Sequence, residues 1–405
     1  MMALGALAMT GIASTASAAA TLEVPGGYAT IQQAIDAASD GDTVAVAAGT
    51  YAERIVVARA ISVVGAGREE TVLSGSGGEA VVLSADGATL SGFTILGQVT
   101  AYCAKAIIEK NAIRADGGYS SIYAYTYPYA KEDCHGSADA VIQNNFISGG
   151  YFGVSVFLAN PVVRNNVIVK NIEAGVISAY FSYPTIVNNT IANNGTAGVM
   201  NYAYGSPTVT NNIIAHNGRF GVVNSYNSGQ VQPAFNVLYE NQVANYASIQ
   251  GGTSITPSGS EIVGDPALAN VPRWTSAYGG PPVNGVVAVN QLAVGETGPG
   301  FIGPFQRGNF IQIGDDPTPR VITSIIDNQL AFRPDGLAVP LQNVIEYAGY
   351  WGIVSYIEHN RGVDFDWRIT SGSVAVDACD PDPAYADIDG SRNDCGAGGG
   401  PWAVR

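Results

Sequence analysis

The stretch that decides the fold is PVVRNNVIVKNIEAGV at 161–176, which returns as PTIVNNTIANNGTAGV at 184–199 and as PTVTNNIIAHNGRFGV at 207–222. An Asn-Asn pair stands at the same point of each unit, and the pairs recur every 21 to 23 residues: Asn144-Asn145, Asn165-Asn166, Asn188-Asn189 and Asn211-Asn212. A period this short describes one supersecondary unit, which can bury its apolar side only against its neighbours. The apolar run after each pair is too short for a helix and fits a short strand. We therefore predict one coil of a parallel β-solenoid per repeat.

Aligned repeats put like residues into columns. One column contains Ile147, Ile168, Ile191 and Ile214, and another contains Ile142, Val163, Ile186 and Val209. Stacked coils place such residues roughly 4.8 Å apart, so the β-branched side chains fill the interior. An Asn at each bend can bond the Asn above and below it, and it tolerates the left-handed backbone of a sharp turn. We predict an amide ladder through Asn145, Asn166, Asn189 and Asn212, or through their partners one residue earlier, with Asn236 as the last rung.

These repeats resemble right-handed parallel β-helix proteins of the pectate-lyase-like type. The segment 30–51, which begins Thr30-Ile31-Gln32-Gln33-Ala34, is similar to their N-terminal part, in which a short capping helix precedes the first coils. Gly264-Asp265-Pro266, the stretch 364–377 and Asp389-Gly390-Ser391-Arg392 resemble a closing module of secreted β-helix proteins. The resemblance implies an all-β fold. It leaves the activity open, because this fold carries lyases, esterases, adhesins and inert scaffolds.

The chain divides into four predicted segments. Residues 1–20 are apolar, contain the A-x-A site Ala16-Ser17-Ala18, and predict a signal peptide and a secreted or cell-surface protein; an apolar element of the cap is the alternative. Residues 21–270 are predicted to form the parallel β-helix with its N-terminal cap, and residues 363–405 are predicted to form its closing module. Between them, 271–362 lacks Asn pairs and shows short strands between turns, which predicts an inserted small β-rich domain. A long ordered excursion on the side of the helix is the alternative.

Charge restricts the partners. The 405 residues include 18 basic and 33 acidic side chains, for a net charge of −15, and 47% are hydrophobic. Neutralising phosphates requires clustered Lys and Arg, so we expect no nucleic acid partner. The apolar N-terminal segment is too short to span a bilayer, and nothing else approaches the necessary length, so we expect no membrane span.

The four cysteines suit an exported protein. We predict disulfides Cys103–Cys134 and Cys379–Cys395, because each pair closes a local loop; two other connectivities remain open, as do buried free thiols. Zinc is less favoured, since no pair has C-x-x-C spacing. Five carboxylates lie within fifteen residues of the C-terminal loop and could hold calcium, although the resemblance explains this loop without a metal: Asp380, Asp382, Asp387, Asp389 and Asp394. We expect no cofactor to be required.

Tyr and Asn dominate the coils. Five tyrosines follow the Gly-Val landmark of three successive coils, and they are the predicted binding residues: Tyr180, Tyr183, Tyr202, Tyr204 and Tyr226. A flat, uncharged face of this composition suits sugar stacking or protein contact, because Tyr supplies large area at low entropy cost. Ordinary aromatic stacking along a solenoid face is the alternative.

Ionisable groups are few in the coils between 141 and 245. They comprise Glu173, Glu240, Arg164, Lys170, His216 and Arg219. The resemblance implies that a lyase of this fold keeps carboxylates beside a Lys or Arg base, and Lys170 with Arg164 is the one candidate; solvent-facing charges are the alternative. Two function classes therefore compete. We favour a non-catalytic secreted scaffold that binds polysaccharide or a cell-surface protein over a carbohydrate-active enzyme, most plausibly a polysaccharide lyase.

Overall fold

A computed structural model describes residues 18–115, 119–126, 137–270 and 366–403. It also describes short strands within 277–358, whose backbone alone is considered. Their bounds are Ala277–Gly279, Val286–Leu292, Phe310–Ile313, Asp316–Ile326, Gln329–Arg333, Glu346–Tyr347, Tyr350–Trp351 and Ser355–Glu358. Within these described segments, no helix has the length and apolar character needed to cross a membrane.

The chain winds into a parallel β-solenoid, as predicted, and each central coil contributes one strand to each of three sheets. The first sheet consists of ten strands: Thr21–Val24, Thr43–Val46, Ser62–Gly65, Thr89–Ser91, Ile107–Glu109, Val141–Gln143, Val162–Arg164, Thr185–Val187, Thr208–Thr210 and Gln232–Ala234. The α-helix Ile31–Ala37 lies between its first two strands in the sequence and buries Ile31, Ala34 and Ile35. Thr30 caps this helix by accepting a hydrogen bond from the backbone N–H of Gln33 at 3.2 Å.

The other two sheets share the strands Thr71–Leu83 and Thr94–Tyr102, which contribute their first part to the second sheet and their last part to the third. The second sheet also contains Gly49–Tyr51, Ala112–Arg114, Phe146–Ser148, Val167–Val169, Thr190–Ala192, Ile213–Ala215, Val237–Tyr239 and Ile262–Val263. The third sheet also contains Ile55–Val57, Ser120–Tyr125, Phe152–Phe157, Ala174–Ala179, Ala197–Tyr202, Phe220–Ser225 and Ala244–Ile249.

Three turns connect these strands in every central coil. In the coil that starts at Val162, the first turn is 165–166, the second turn is 170–173 and the third turn is 180–184. The interior is filled by one column from each sheet, such as Val163, Ile168 and Val176, all fully buried in one continuous core. The predicted Ile and Val columns are the observed registers of the first and second sheets.

The predicted amide ladder is confirmed. The Nδ2 of Asn145, Asn166 and Asn189 each donates to the Oδ1 of the next rung at 3.0 Å, and Asn212 donates to Asn236 at 3.1 Å. The second Asn of each pair forms the rungs. A second ladder at the second turn was not predicted, because only one coil marks it with an Asn pair; it joins Asn171, Asn194, Asn217 and Asn241 at 2.9 to 3.1 Å.

The first Asn of each pair has a left-handed backbone and faces the closing module. Asn165 donates to the carbonyl of Gly399 at 2.6 Å, and Asn188 donates to Oδ1 of Asn393 at 2.8 Å. Nδ2 of Asn144 donates to the carbonyl of Trp402 at 3.1 Å, whereas Oδ1 of Asn211 accepts the backbone N–H of Asp380 at 3.0 Å. The closing module, with a 3-10 turn Pro383–Tyr385, therefore lies alongside the coils. It buries Cys379, Cys395 and Ala375 against Ile213 and Val237 of the second sheet.

The disulfide Cys379–Cys395 is present, as predicted. For the other predicted pair, Cys134 lies outside the described residues, so Cys103–Cys134 stays a prediction. Residues 1–17 also lie outside them, and the signal peptide stays a prediction as well.

The strand before the predicted insertion pairs with the strand after it. Leu268–Asn270 pairs antiparallel with Asp366–Ile369. Between them, six strands form an antiparallel sheet in the order Ala277–Gly279, Val286–Leu292, Gln329–Arg333, Asp316–Ile326, Phe310–Ile313 and Ser355–Glu358, and Glu346–Tyr347 pairs with Tyr350–Trp351. This antiparallel pairing contrasts with the parallel solenoid. The inserted β-rich domain at 271–362 stays a prediction.

Candidate functional site

The third turns of successive coils, with the strand ends that precede them, carry a set of aromatic rings, here called the aromatic strip: Phe157, Tyr180, Phe181, Tyr183, Tyr202, Tyr204 and Tyr226. The exposed fraction is 42% for Tyr180, 51% for Tyr204, 53% for Tyr226, 54% for Tyr183 and 55% for Phe181. Tyr202 is half-buried. Four of the five predicted tyrosines are thus exposed, and all five lie on one edge of the solenoid.

Rings of adjacent coils alternate between two neighbouring columns. Phe157 and Tyr202 end their third-sheet strands, whereas Tyr180 lies one residue later in its coil. Ring centroids follow one another at 4.6 Å from Phe157 to Tyr180, 6.0 Å from Tyr180 to Tyr202 and 5.4 Å from Tyr202 to Tyr226. Ala179 takes the strand-end position in the coil of Tyr180, and Ala203 takes the next position in the coil of Tyr202. Each of these coils therefore contributes one large ring to the row. The sequence carries this alternation, yet Phe157 and Phe181 were not predicted because only tyrosines were aligned.

The backbone of the strip is unusual for aromatic residues. The φ angle is +51° at Tyr180, +57° at Phe181, +68° at Tyr204 and +52° at Tyr226. A bulky residue in this left-handed region costs about 1–3 kcal/mol, whereas Gly or Asn enters it easily. The first turns use Asn for the same conformation. Leu158 at +51° and Ala203 at +43° adopt the same conformation in these turns, so the backbone does not by itself call for a ring.

Buried polar groups hold the third turns in place. The Oγ atoms of Ser178 and Ser182 lie 3.0 Å apart, and Nδ2 of Asn201 donates to Oδ1 of Asn224 at 3.0 Å. A Cβ at Gly205 would lie 2.3 Å from Oδ1 of Asn201, so only glycine fits there. Because these partners are buried, the rings project from a rigid support.

No ionisable side chain occurs in the third turns of the four central coils. Residues 158–161, 180–184, 203–207 and 226–231 contain no Asp, Glu, Lys, Arg or His. The polar groups beside the rings are amides and hydroxyls, such as Asn160, whose Oδ1 accepts the backbone N–H of Tyr183 at 3.1 Å. The strip is therefore an uncharged surface of aromatic rings, hydroxyls and amides.

The ionisable groups of the coils are dispersed over other edges. Arg164 ends a first-sheet strand, where it donates to Oε1 of Gln143 at 2.8 Å and lies 4.3 Å from the Trp402 ring centroid. Lys170 belongs to the second turn, so the candidate base and charge clamp lie at different corners of one coil. His216 contacts Glu240 at 3.4 Å between Nδ1 and Oε2. Arg164 thus has a packing role against the closing module.

Glu173 is a group whose environment the sequence did not reveal. It is 2% exposed and its Oε2 accepts the Thr196 hydroxyl at 3.2 Å. Burial raises the pKa of Glu173 to about 8, although the Thr196 hydrogen bond and the charge of Arg219 oppose this shift. The carboxyl is therefore protonated near neutral pH. Its burial follows from its place in a column that contains Tyr151, Thr196 and Arg219 in adjacent coils.

The acidic loop uses its carboxylates in local turns. Asp382 accepts the N–H of Ala384 at 2.9 Å, Asp389 accepts that of Ser391 at 3.0 Å, and Asp387 accepts that of Asp394 at 3.1 Å. Burial raises the pKa of Asp387 and of Asp394. In the parts of the chain that the structure describes, no three His, Cys, Asp or Glu side chains gather as metal ligands. Calcium at Asp380, Asp382, Asp387, Asp389 and Asp394 stays a prediction.

The chain is similar to several solved structures at low sequence identity. No curated protein matches the sequence. Among solved structures, the A-module of a mannuronan C-5 epimerase from Azotobacter vinelandii is 18% identical with a TM-score of 0.32, over 56% of this chain and 95% of that one. An alginate lyase from Paenibacillus sp. str. FPU-7 is 16% identical with a TM-score of 0.38, over 60% and 97%. A pectate lyase is 13% identical with a TM-score of 0.41, over 94% and 96%.

The family model described as right handed beta helix region matches residues 80–263. This match covers the Asn-pair coils and agrees with their three parallel sheets. The predicted resemblance is confirmed at the level of the fold. The chain is therefore a right-handed parallel β-helix protein, and its residues 80–263 are similar to this family.

Proposed function

We propose that this protein is a secreted, non-catalytic scaffold that binds polysaccharide along the aromatic strip. The observation that carries the proposal is the exposure of rings on left-handed backbone in successive coils, from Tyr180 to Tyr226. The turn itself does not impose the rings, because Leu158 and Ala203 take the same backbone conformation in the third turns. A function that requires exposed rings explains why they are kept.

The shape of the strip supports a long, linear ligand. Coils repeat at roughly 4.8 Å, and the strip continues from coil to coil along the solenoid axis. The ring faces partly cover one another, as in the Phe181–Tyr204 pair with an interplanar angle of 8°. Ring edges and hydroxyls therefore face the solvent. Tyr hydroxyls both donate and accept hydrogen bonds, so such a surface suits the hydroxyl groups of sugars.

Two further features support export. The disulfide Cys379–Cys395 suits an oxidising compartment, and the apolar segment 1–20 predicts a signal peptide. A cell-surface protein is the other partner that an aromatic surface of this kind could contact. A polysaccharide lyase is the competing class of function, and Lys170 is its candidate base.

Binding is tested by affinity electrophoresis of the mature protein through gels that contain soluble polysaccharides. The variants Tyr204→Ala and Tyr226→Ala remove exposed rings, whereas Tyr204→Phe and Tyr226→Phe retain the rings and remove the hydroxyls. We expect retardation of the wild type and its loss in the double Ala variant, with circular dichroism unchanged.

A parallel assay monitors unsaturated uronates at 235 nm on pectate and alginate, a general absorbance test for lyase products. We expect no product. Turnover that disappears in Lys170→Ala would instead establish the enzyme class. A protein that is not retarded by any polysaccharide would refute the binding proposal.

A further inference from the structure

We infer that the aromatic strip selects neutral polysaccharides and rejects polyuronates. The inference rests on the proposed function, because it names the substrate class of the same surface. It is drawn from the distribution of charge around the rings and from the chemistry of the groups that accompany them.

No cation lies within the strip itself. The third turns of the four central coils carry no Asp, Glu, Lys, Arg or His, and a carboxylate contacts the first of them: Oδ1 of Asp139 accepts the backbone N–H of Asn160 at 3.0 Å. Carboxylates of a polyuronate need paired cations when they leave water, since an unpaired buried charge is costly. Docking such a polymer here would desolvate its charges without compensation.

The basic side chains of these coils are occupied elsewhere. Arg164 lies against Trp402 of the closing module, and Arg219 is at the second turn, where its charge acts on Glu173. The second turn and the third turn lie at opposite ends of a third-sheet strand such as Phe220–Ser225, which has six residues. Six residues of strand span roughly 20 Å, more than twice the Debye length in physiological salt, so Arg219 exerts little force at the strip. Arg164 follows the third turn 158–161 more closely, but it is engaged by Gln143 and Trp402.

The net charge of the whole protein also disfavours polyuronates. The net charge of −15 opposes the approach of a polyanion at low ionic strength. Neutral sugars avoid this repulsion, and their hydroxyls match the Tyr hydroxyls and the Asn amides, which donate as well as accept. Charge and hydrogen-bonding capacity therefore favour the same class of ligand.

The experiment compares a soluble β-glucan and a galactomannan with polygalacturonate and alginate by affinity electrophoresis at low and physiological salt. We expect retardation by a neutral polymer that salt leaves unchanged, and at least about tenfold weaker retardation by both polyuronates, a difference of about 1.4 kcal/mol. The matched variants are Gln230→Lys and Gln230→Glu. Gln230 is exposed in the strip's last coil, and only its backbone carbonyl accepts a described hydrogen bond.

Gln230→Lys should gain retardation by polygalacturonate, and this gain should fall as salt rises, while binding of the neutral polymer stays within about twofold. Gln230→Glu should gain nothing. Wild-type binding to a polyuronate that equals or exceeds binding to the neutral polymers would overturn this inference and leave the proposed function standing. Absence of retardation by all four polymers would overturn both.

Discussion

Replacement of Asn189 by Ala tests the amide ladder at its centre. Asn189 is fully buried, and its Oδ1 accepts both the backbone N–H and the Nδ2 of Asn166 at 3.0 Å. Its Nδ2 donates to the carbonyls of Val163 at 2.8 Å and Val187 at 3.1 Å, and to Oδ1 of Asn212 at 3.0 Å. The variant would strand the Asn166 N–H in the interior and delete three donated bonds at once.

The magnitude follows from these contacts. A buried donor left without an acceptor costs about 1–3 kcal/mol, and each deleted bond whose acceptor keeps another partner costs about 0.5–1.5 kcal/mol. Since bonds within one network are not additive, we expect Asn189→Ala to lower the free energy of unfolding by about 2–5 kcal/mol. Urea unfolding followed by far-ultraviolet circular dichroism measures this quantity, with Asn189→Ala and wild type compared at equal m-values.

The matched control is Asn160→Ala. Asn160 is exposed, and its Oδ1 accepts one backbone N–H, from Tyr183, at 3.1 Å. Water can replace that acceptor, so we expect a loss below about 1 kcal/mol. A loss at Asn189 no larger than the loss at Asn160 would refute the argument that the ladder stabilises the coils.

Three further predictions concern the buried acid, the disulfide and the packed arginine. The folded-state pKa of Glu173 is raised from 4.5 to about 8, so its contribution to stability is complete below pH 4.5 and is lost as pH rises towards 8. In the wild type, the free energy of unfolding should fall by up to about 5 kcal/mol between pH 5 and 8, and Glu173→Gln should reduce this fall. Identical slopes in the two proteins would contradict this prediction. Replacing Cys379 and Cys395 by Ser should cost about 3 kcal/mol in urea unfolding, and equal stability would show that the bridge is dispensable. Arg164→Ala should lower the free energy needed to open the closing module by about 1 kcal/mol, measured as faster amide exchange near Trp402. Arg164→Lys should restore part of this stability.

Much of the fold was predictable because its contacts repeat at a nearly constant distance along the sequence. Each rung of the ladder contacts the rung one coil away, and a repeat of 21 to 23 residues places those partners at a fixed sequence distance. Register, core columns and the bends at Asn145 to Asn212 therefore follow from the spacing alone. The tyrosines of the strip were found in the same way, because their coils share the Gly-Val landmark.

Other features had no periodic signal. Asn165 meets Gly399 across 234 residues, and Cys379 packs against the second sheet, because the closing module folds alongside the coils. The burial of Glu173 depends on how neighbouring side chains fill the space above and below it. The sequence by itself determined the solenoid, its register and its uncharged aromatic edge, because those contacts repeat at one coil's distance. Only the tertiary structure decided which Asn faces the core, where the closing module lies and which acid loses its charge, because those properties arise from contacts between segments that share no period.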